Sequence, residues 1–181
     1  MIDGDTALSI AVRGGHIEVV KLLLKNPNID VNMKLGMVGV TALNSAIQRD
    51  DVDIVKLLLY QPDIDFNGNY PISNLMIAIM REQKEIVELL LKRGVDINKK
   101  YMDGYTALMW AVERKNVGII NLLLNQSGID IKIENNNGET ALNIAENIKY
   151  GRRIARSKME PQSQQLESFK EKIKHQSMGK I

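Results

Sequence analysis

The chain has 181 residues, with 24 Lys and Arg against 22 Asp and Glu, a formal net charge of +2, two histidines and no cysteine. That length suits one well-buried domain or a single solenoid. The lack of thiols excludes a disulfide framework and a thiolate metal site, and two histidines exclude a histidine-rich one.

The longest clean apolar run, Leu75–Met80, is far short of the ~18–20 residues of a membrane span. The opening MIDGDTALSIAV has no basic leader and no cleavage site. A reducing, cytoplasmic setting is the expectation. The charge is unevenly spread: residues 1–148 hold 15 Lys/Arg and 19 Asp/Glu, net −4, and residues 149–181 hold 9 and 3, net +6. A mildly acidic body precedes a modestly basic tail, too modest to make nucleic acid the first partner considered.

Thr6-Ala7-Leu8 returns as Thr41-Ala42-Leu43, as a degenerate Ser73-Asn74-Leu75, then as Thr106-Ala107-Leu108 and Thr140-Ala141-Leu142, at intervals of 35, 32, 33 and 34 residues. A second landmark keeps step: Leu22-Leu23-Leu24, Leu57-Leu58-Leu59, Leu89-Leu90-Leu91 and Leu122-Leu123-Leu124. Such a period is the signature of a repeat array. Copies fall at about 1–32, 33–67, 68–98, 99–132 and, partially, 133–148, with a basic segment over 149–181.

The first copy starts almost at its own cap. Its outer face carries only Arg13, Glu18, Lys21 and Lys25 as polar cover, so it either caps itself or was cut from a longer chain. His16 stands at the entry to a second helix and reads as structural. In the second copy a longer entry, Met33–Val40, contains Gly36 and Gly39 around an apolar tip, Met37-Val38. Asp50, Asp51 and Asp53 then fall in an inter-helix turn, where Asp caps helix N-termini; capping is favoured over ion binding. The third copy has Pro71 where others have Gly, so its turn should differ locally.

The fourth copy shows the unit best. The turn Asp103-Gly104 precedes Thr106, a good N-cap. A short apolar helix runs from Ala107 to about Glu113, a polar break follows at Arg114-Lys115-Asn116, and a second helix runs from about Val117 to Asn125. Three consecutive leucines cover more than one face of that helix. Helices this short are not stable alone. The unit can bury its surface only by stacking on copies of itself.

The fifth copy keeps Asn137–Leu142 and Ile144-Ala145, but its second helix should lie over Tyr150–Arg156, where the leucines are gone. Pro161 restarts a helix with Leu166, Phe169 and Ile173 on one face. It is expected to cap the last copy, the competing reading being an amphipathic helix for a partner or membrane surface. The stretch Arg152–Ser157 looks like a basic-directed kinase site or weak nuclear signal, a match that arises freely in basic tails.

Asp-Gly-x-Thr-Ala-Leu, then Gly15–Leu24 (GHIEVVKLLL) and Ile29–Asn32, with similar exits at Ile64–Asn67 and Val95–Asn98, resembles the ankyrin repeat. The family usually has Thr-Pro-Leu-His. Here Ala replaces Pro, and the His position holds Ser9, Asn44, Met76, Met109 and Asn143. The resemblance covers roughly residues 1–148. It implies an all-α ankyrin-repeat solenoid of stacked helix-turn-helix units with short β-hairpin-like connecting loops and, here, a C-terminal capping helix. It also implies a non-catalytic protein-interaction module, and no catalytic motif, cofactor loop or metal constellation stands in the sequence.

In that family the concave face comes from the hairpin tips and the outer positions of the first helices. Two columns of this sequence then stand out. The residue before each cap reads Asp5, Val40, Ile72, Tyr105 and Glu139. The residue eight after it reads Gly14, Arg49, Arg81, Arg114 and Ile148. Arg forks suit an acidic or carboxylate-bearing segment; the bland alternative is a solvated face with local pairing to Asp50, Glu82 and Glu113. Tyr70, Tyr101, Met102 and Trp110 enlarge an aromatic patch of the kind that dominates interfaces. The candidate partner-binding residues are Val40, Arg49, Tyr70, Ile72, Arg81, Met102, Tyr105, Trp110 and Arg114.

The expected partner is another protein offering an acidic or apolar segment, bound by a monomer, with no nucleic acid, membrane, metal or cofactor. The alternatives are an adaptor or inhibitor working through the basic tail, and an interaction fragment of a larger effector or enzyme. Richness in Ile, Asn and Lys resembles ankyrin proteins of AT-rich microbes, protists or large viruses, often delivered to a host cell.

Overall fold

The computed structural model describes residues 5–36, 39–67, 72–155 and 171. Among them the helices are α1 (Ala7–Gly14), α2 (Ile17–Leu23), α3 (Ala42–Gln48), α4 (Val52–Leu59), α5 (Asn74–Met80), α6 (Lys84–Lys92), α7 (Ala107–Glu113), α8 (Val117–Leu124) and α9 (Ala141–Ala155). No strand forms among the described residues; one isolated antiparallel bridge joins Leu35 and Val40. The architecture is all-α and built from repeated helix pairs.

The local rules recur at fixed register. Thr6, Thr41 and Thr106 each cap a first helix, accepting from the third helical N–H while the side chain of that third residue accepts from the threonine N–H. Ser9, Asn44 and Met109 supply the return bond; for Met109 the acceptor is sulfur, at 3.4 Å. Thr140 and Asn143 repeat the exchange at α9. Ser73 caps α5 by accepting from the Met76 N–H.

Each first helix of the first four copies then stops on a left-handed residue nine positions after its cap: Gly15 (φ 69°), Asp50 (59°), Glu82 (59°) and Lys115 (60°). At each stop the left-handed residue's N–H bonds back to Val12, Ile47, Ile79 or Val112, and the next N–H bonds to Ala11, Ala46, Ala78 or Ala111. This paired termination satisfies the helix's last carbonyls. The following residue opens the second helix. Asp51 and Asn116 cap it with their side chains, accepting from Ile54 and Ile119 N–H at 3.1 Å, whereas His16 and Gln83 make no such cap.

The fifth copy departs from this scheme. The expected break near residue 149 does not occur, and α9 runs unbroken from Ala141 to Ala155. Nothing there adopts the left-handed turn that splits the other copies, so two short helices become one. Apart from Glu171, the helix expected over Leu166, Phe169 and Ile173, and its capping of the last copy, lie outside the described residues.

Two compact units are present, residues to Asp96 and residues from Ile97. In the first, the helix pairs pack in chain order, α1 on α3 and α3 on α5, α2 on α4 and α4 on α6. The core takes residues from both helices of each pair, among them Leu43, Ile47, Ile54, Leu75 and Ile86; of the leucine rows Leu58 and Leu59, then Leu90 and Leu91, are buried, while Leu57 and Leu89 stay half-exposed. Polar groups also join the copies. The buried Asn44 Nδ2 donates to Asn74 Oδ1 at 2.6 Å, and Asn74 Nδ2 donates to the Phe66 carbonyl. Gln83 Nε2 donates to the Ile47 carbonyl at 2.7 Å. At the loop exits Asn32 donates to the Asp63 carbonyl and accepts from the Asp65 N–H, and Asn67 accepts from the Asp96 N–H. An exit asparagine thus pairs like a short strand with the next loop.

In the second unit α7 packs on α8 and α9, and Asn98 plays the same exit role toward Gly128 and Asp130.

Candidate partner-binding surface

Each candidate side chain is placed by the hairpin or helix end that carries it. Val40 is half-buried and exchanges both backbone bonds with Leu35, at 2.9 and 3.1 Å, in a turn bounded by Gly36 and Gly39, both at positive φ. Ile72 is half-buried immediately before the cap Ser73. Tyr70 lies outside the described residues. Arg49 and Arg81 are exposed residues that close α3 and α5. These four described candidates belong to the first unit.

The other four candidates lie in the second unit, and there the structure brings Tyr105, Trp110 and Arg114 together. Met102 and Gly104 form a single 3-10 turn whose Asp103 and Gly104 both have positive φ. Tyr101 N–H bonds to the Tyr105 carbonyl, closing the hairpin at 2.9 Å. Asn136 N–H donates to the Asp103 carbonyl, tying this hairpin to the next. Gly104 is required twice over: its φ is +76°, and a Cβ there would sit 2.8 Å from the Asn136 backbone nitrogen.

The turn aims Tyr105 at Trp110, one turn into α7, with ring centroids 5.4 Å apart and planes at 53°, an ordinary attractive aromatic geometry. Arg114 closes the same helix and sets its guanidinium 5.9 Å from the Trp110 ring centroid, within cation–π range. Met102, in the 3-10 turn before Tyr105, is 62% exposed. The indole Nε1 of Trp110 is buried, and no acceptor reaches it among the described residues.

Electrostatics sort the arginines from their neighbours. Local pairing of Arg49, Arg81 and Arg114 with Asp50, Glu82 and Glu113 does not occur: among the described residues none of the three has a carboxylate within 4.0 Å. The contrast is Arg13, one register earlier, which pairs with Asp5 at 2.6 Å; the hydrogen bond it donates holds the Asp5 carboxyl below the usual range. Glu113 instead acts on Tyr105. Burial, then the negative charge of Glu113 and Glu139 and the bond to Glu113, push the phenol above its ordinary value, with Asn135 opposing. Tyr105 is therefore held as a neutral donor. Glu139 is itself fixed by Asn135 Nδ2 at 3.1 Å and Asn147 Nδ2 at 3.0 Å.

Glu113, Asn135 and Glu139 were not among the candidates. Glu139 occupies the column before the cap and Glu113 the column beside the arginines, which was the available signal. Among the described residues no group of three His, Cys, Asp or Glu side chains could hold a metal ion, and no helix is long and apolar enough to cross a membrane.

A family model for ankyrin repeats, in three copies, matches residues 2–70 and 75–156. An ankyrin repeat protein of Borreliella burgdorferi is 30% identical over 111 residues, 60% of this chain and 48% of that protein. The ankyrin repeat protein FPV219 of fowlpox virus is 42% identical over 73 residues, 40% of this chain and 16% of its own length. The rat ankyrin repeat and SAM domain-containing protein 6 is 39% identical over 71 residues, 39% of this chain and 8% of that protein. The chain spans under half the length of each of these relatives.

Proposed function

The chain belongs to the ankyrin repeat family, whose members generally serve as protein–protein interaction modules, and we propose that it binds a segment of another protein without catalysis. The binding surface in this reading runs over the hairpin tips and the ends of the first helices. Its strongest part is Tyr105, Trp110, Arg114 and Met102.

One observation carries the reading: a half-exposed Tyr–Trp pair with an arginine over the indole and no carboxylate on that arginine. Unpaired guanidinium donors are available for bidentate bonds to a carboxylate, and aromatic and Arg side chains are those that dominate interface energetics. In the first unit, taken by itself, Arg49 and Arg81 with Val40 and Ile72 offer similar residue types. The occupant is an extended or helical segment carrying an acidic residue beside an apolar one. Preformed hairpins keep the ordering cost on this side small. The setting proposed is the reducing intracellular one expected from the cysteine-free sequence.

The experiment is capture of a partner by wild type beside a Tyr105→Ala/Arg114→Glu double mutant, circular dichroism verifying both folds, followed by titration of the purified partner. Loss of binding in the mutant alone supports the surface. Equal binding by both places it elsewhere.

A further inference from the structure

The outward stripe of the second helices changes character in the fourth copy. Twelve and fifteen positions after the cap, the first three copies are charged: Glu18 and Lys21, Asp53 and Lys56, Glu85 and Glu88. All but Glu88 are exposed, as charges on a solvated face should be. In α8 the same two positions hold Gly118 and Asn121, and both are half-buried. Asn121 apart, every residue of α8 is apolar or glycine, and a helix apolar all round is a covered one. Glycine inside a helix is unfavourable by itself and is used where another backbone must come close.

The fifth copy does not supply that cover in the ordinary way. Leu24 and Leu57 line one cleft between α2 and α4, so the position eighteen after the cap lies on the side of the following copy. Leu59 and Leu91 hold it in the next two copies, 4% and 8% exposed. Leu124 holds it in α8 and is 2% exposed. Yet α9 packs on α7 and runs straight on, and among the described residues no second helix returns from it to α8. The chain has one further apolar helix face to offer: after Pro161, Leu166, Phe169 and Ile173 fall at i, i+3 and i+7. Glu171, on the opposite side of that spiral, is helical and exposed.

We propose that residues 161–173 lie along α8 as the second helix that the fifth copy lacks, with Leu166, Phe169 and Ile173 turned to the stripe of Gly118, Asn121 and Leu124. An uncharged stripe receives an apolar face, and the charged side of the segment stays in water. This contact uses none of Tyr105, Trp110 and Arg114. It makes the basic segment the cover of the last copy and not the element that recruits a partner.

The chain has no cysteine, so paired cysteines test the contact directly. In the full chain, Asn121→Cys is combined in turn with Leu166→Cys, Phe169→Cys, Ile173→Cys and Glu171→Cys, and disulfide closure is followed under mild oxidation. At least one of the first three pairs should close within a single chain about tenfold faster than the Glu171→Cys pair, since a disulfide needs Cα atoms within about 7 Å. Hydrogen exchange reads the same contact without cysteines. Leu166→Asp/Phe169→Asp should speed exchange over Val117–Leu124 about tenfold or more, and Glu171→Lys should leave it unchanged. Equal closure by all four pairs would overturn the proposal, as would a crosslink found only between chains, which would make a second copy the cover. Exchange in α8 indifferent to Leu166→Asp/Phe169→Asp would overturn it too, leaving the apolar face of the segment to an outside protein or a membrane surface.

Discussion

At the scale of single residues, Tyr105 shows how far sequence carries and where it stops. Its place in the column before the cap marked it as a surface candidate. Its partners did not follow, because Glu113 lies beside Arg114 and pairing of adjacent opposite charges was the simpler expectation. Glu113 acts electrostatically on the phenol, and Arg114 lies over Trp110. The phenol is raised above its ordinary 10.0. Its contribution to stability is complete below that pH and is lost as pH rises through the folded-state value. Tyrosinate difference spectra should contain a late-titrating phase that Tyr105→Phe removes; a titration that Tyr105→Phe leaves unchanged would refute the assignment. Gly104 is the other residue-scale lever. Gly104→Ala must adopt left-handed backbone and displace Asn136, which should cost about 1–3 kcal/mol in urea unfolding.

At the scale of elements, the threonine caps and the leucine rows were legible because each has one physical meaning at its spacing. The helix stops were only partly so. Gly15 announces a left-handed residue, but Asp50, Glu82 and Lys115 do not, and they adopt the conformation because stacking over-determines it. A non-glycine there bears about 1–2 kcal/mol of local strain, against roughly 0.5–1 kcal/mol of extra chain entropy lost by glycine. Lys115→Gly should therefore stabilise by up to about 1 kcal/mol, read from the denaturation midpoint; a clear loss would contradict this account of the turn. The exit asparagines carry a second test. Asn32→Ala removes both bonds to the Asp63 and Asp65 loop and should cost about 1–2 kcal/mol, at the usual net value per bond. The fusion of two expected helices into α9 was illegible, because a missing turn leaves no mark when Lys149 replaces what is Lys115 in the fourth copy.

At the scale of the whole molecule, stability comes from copies sealing one another, so damage is local before it is global. Leu58 is fully buried between copies, and Leu58→Ala should cost about 2–5 kcal/mol. Hydrogen exchange should show the lost protection concentrated in residues up to Asp96, the unit that holds Leu58. Fold class was readable from period and composition together, since short apolar helices have few other ways to bury leucine. The surface was readable as residue types in register, but which of them meet depends on turn geometry that no single column encodes.

The measurement that bears most directly on the central claim is binding of the captured partner to wild type and to Tyr105→Ala/Arg114→Glu, followed by the fluorescence of Trp110, the one tryptophan in the chain. The account predicts a saturable change in Trp110 emission on wild type and a loss of affinity of about a hundredfold in the double mutant, as for two interface anchors removed together. Equal affinity in both folded proteins would contradict it.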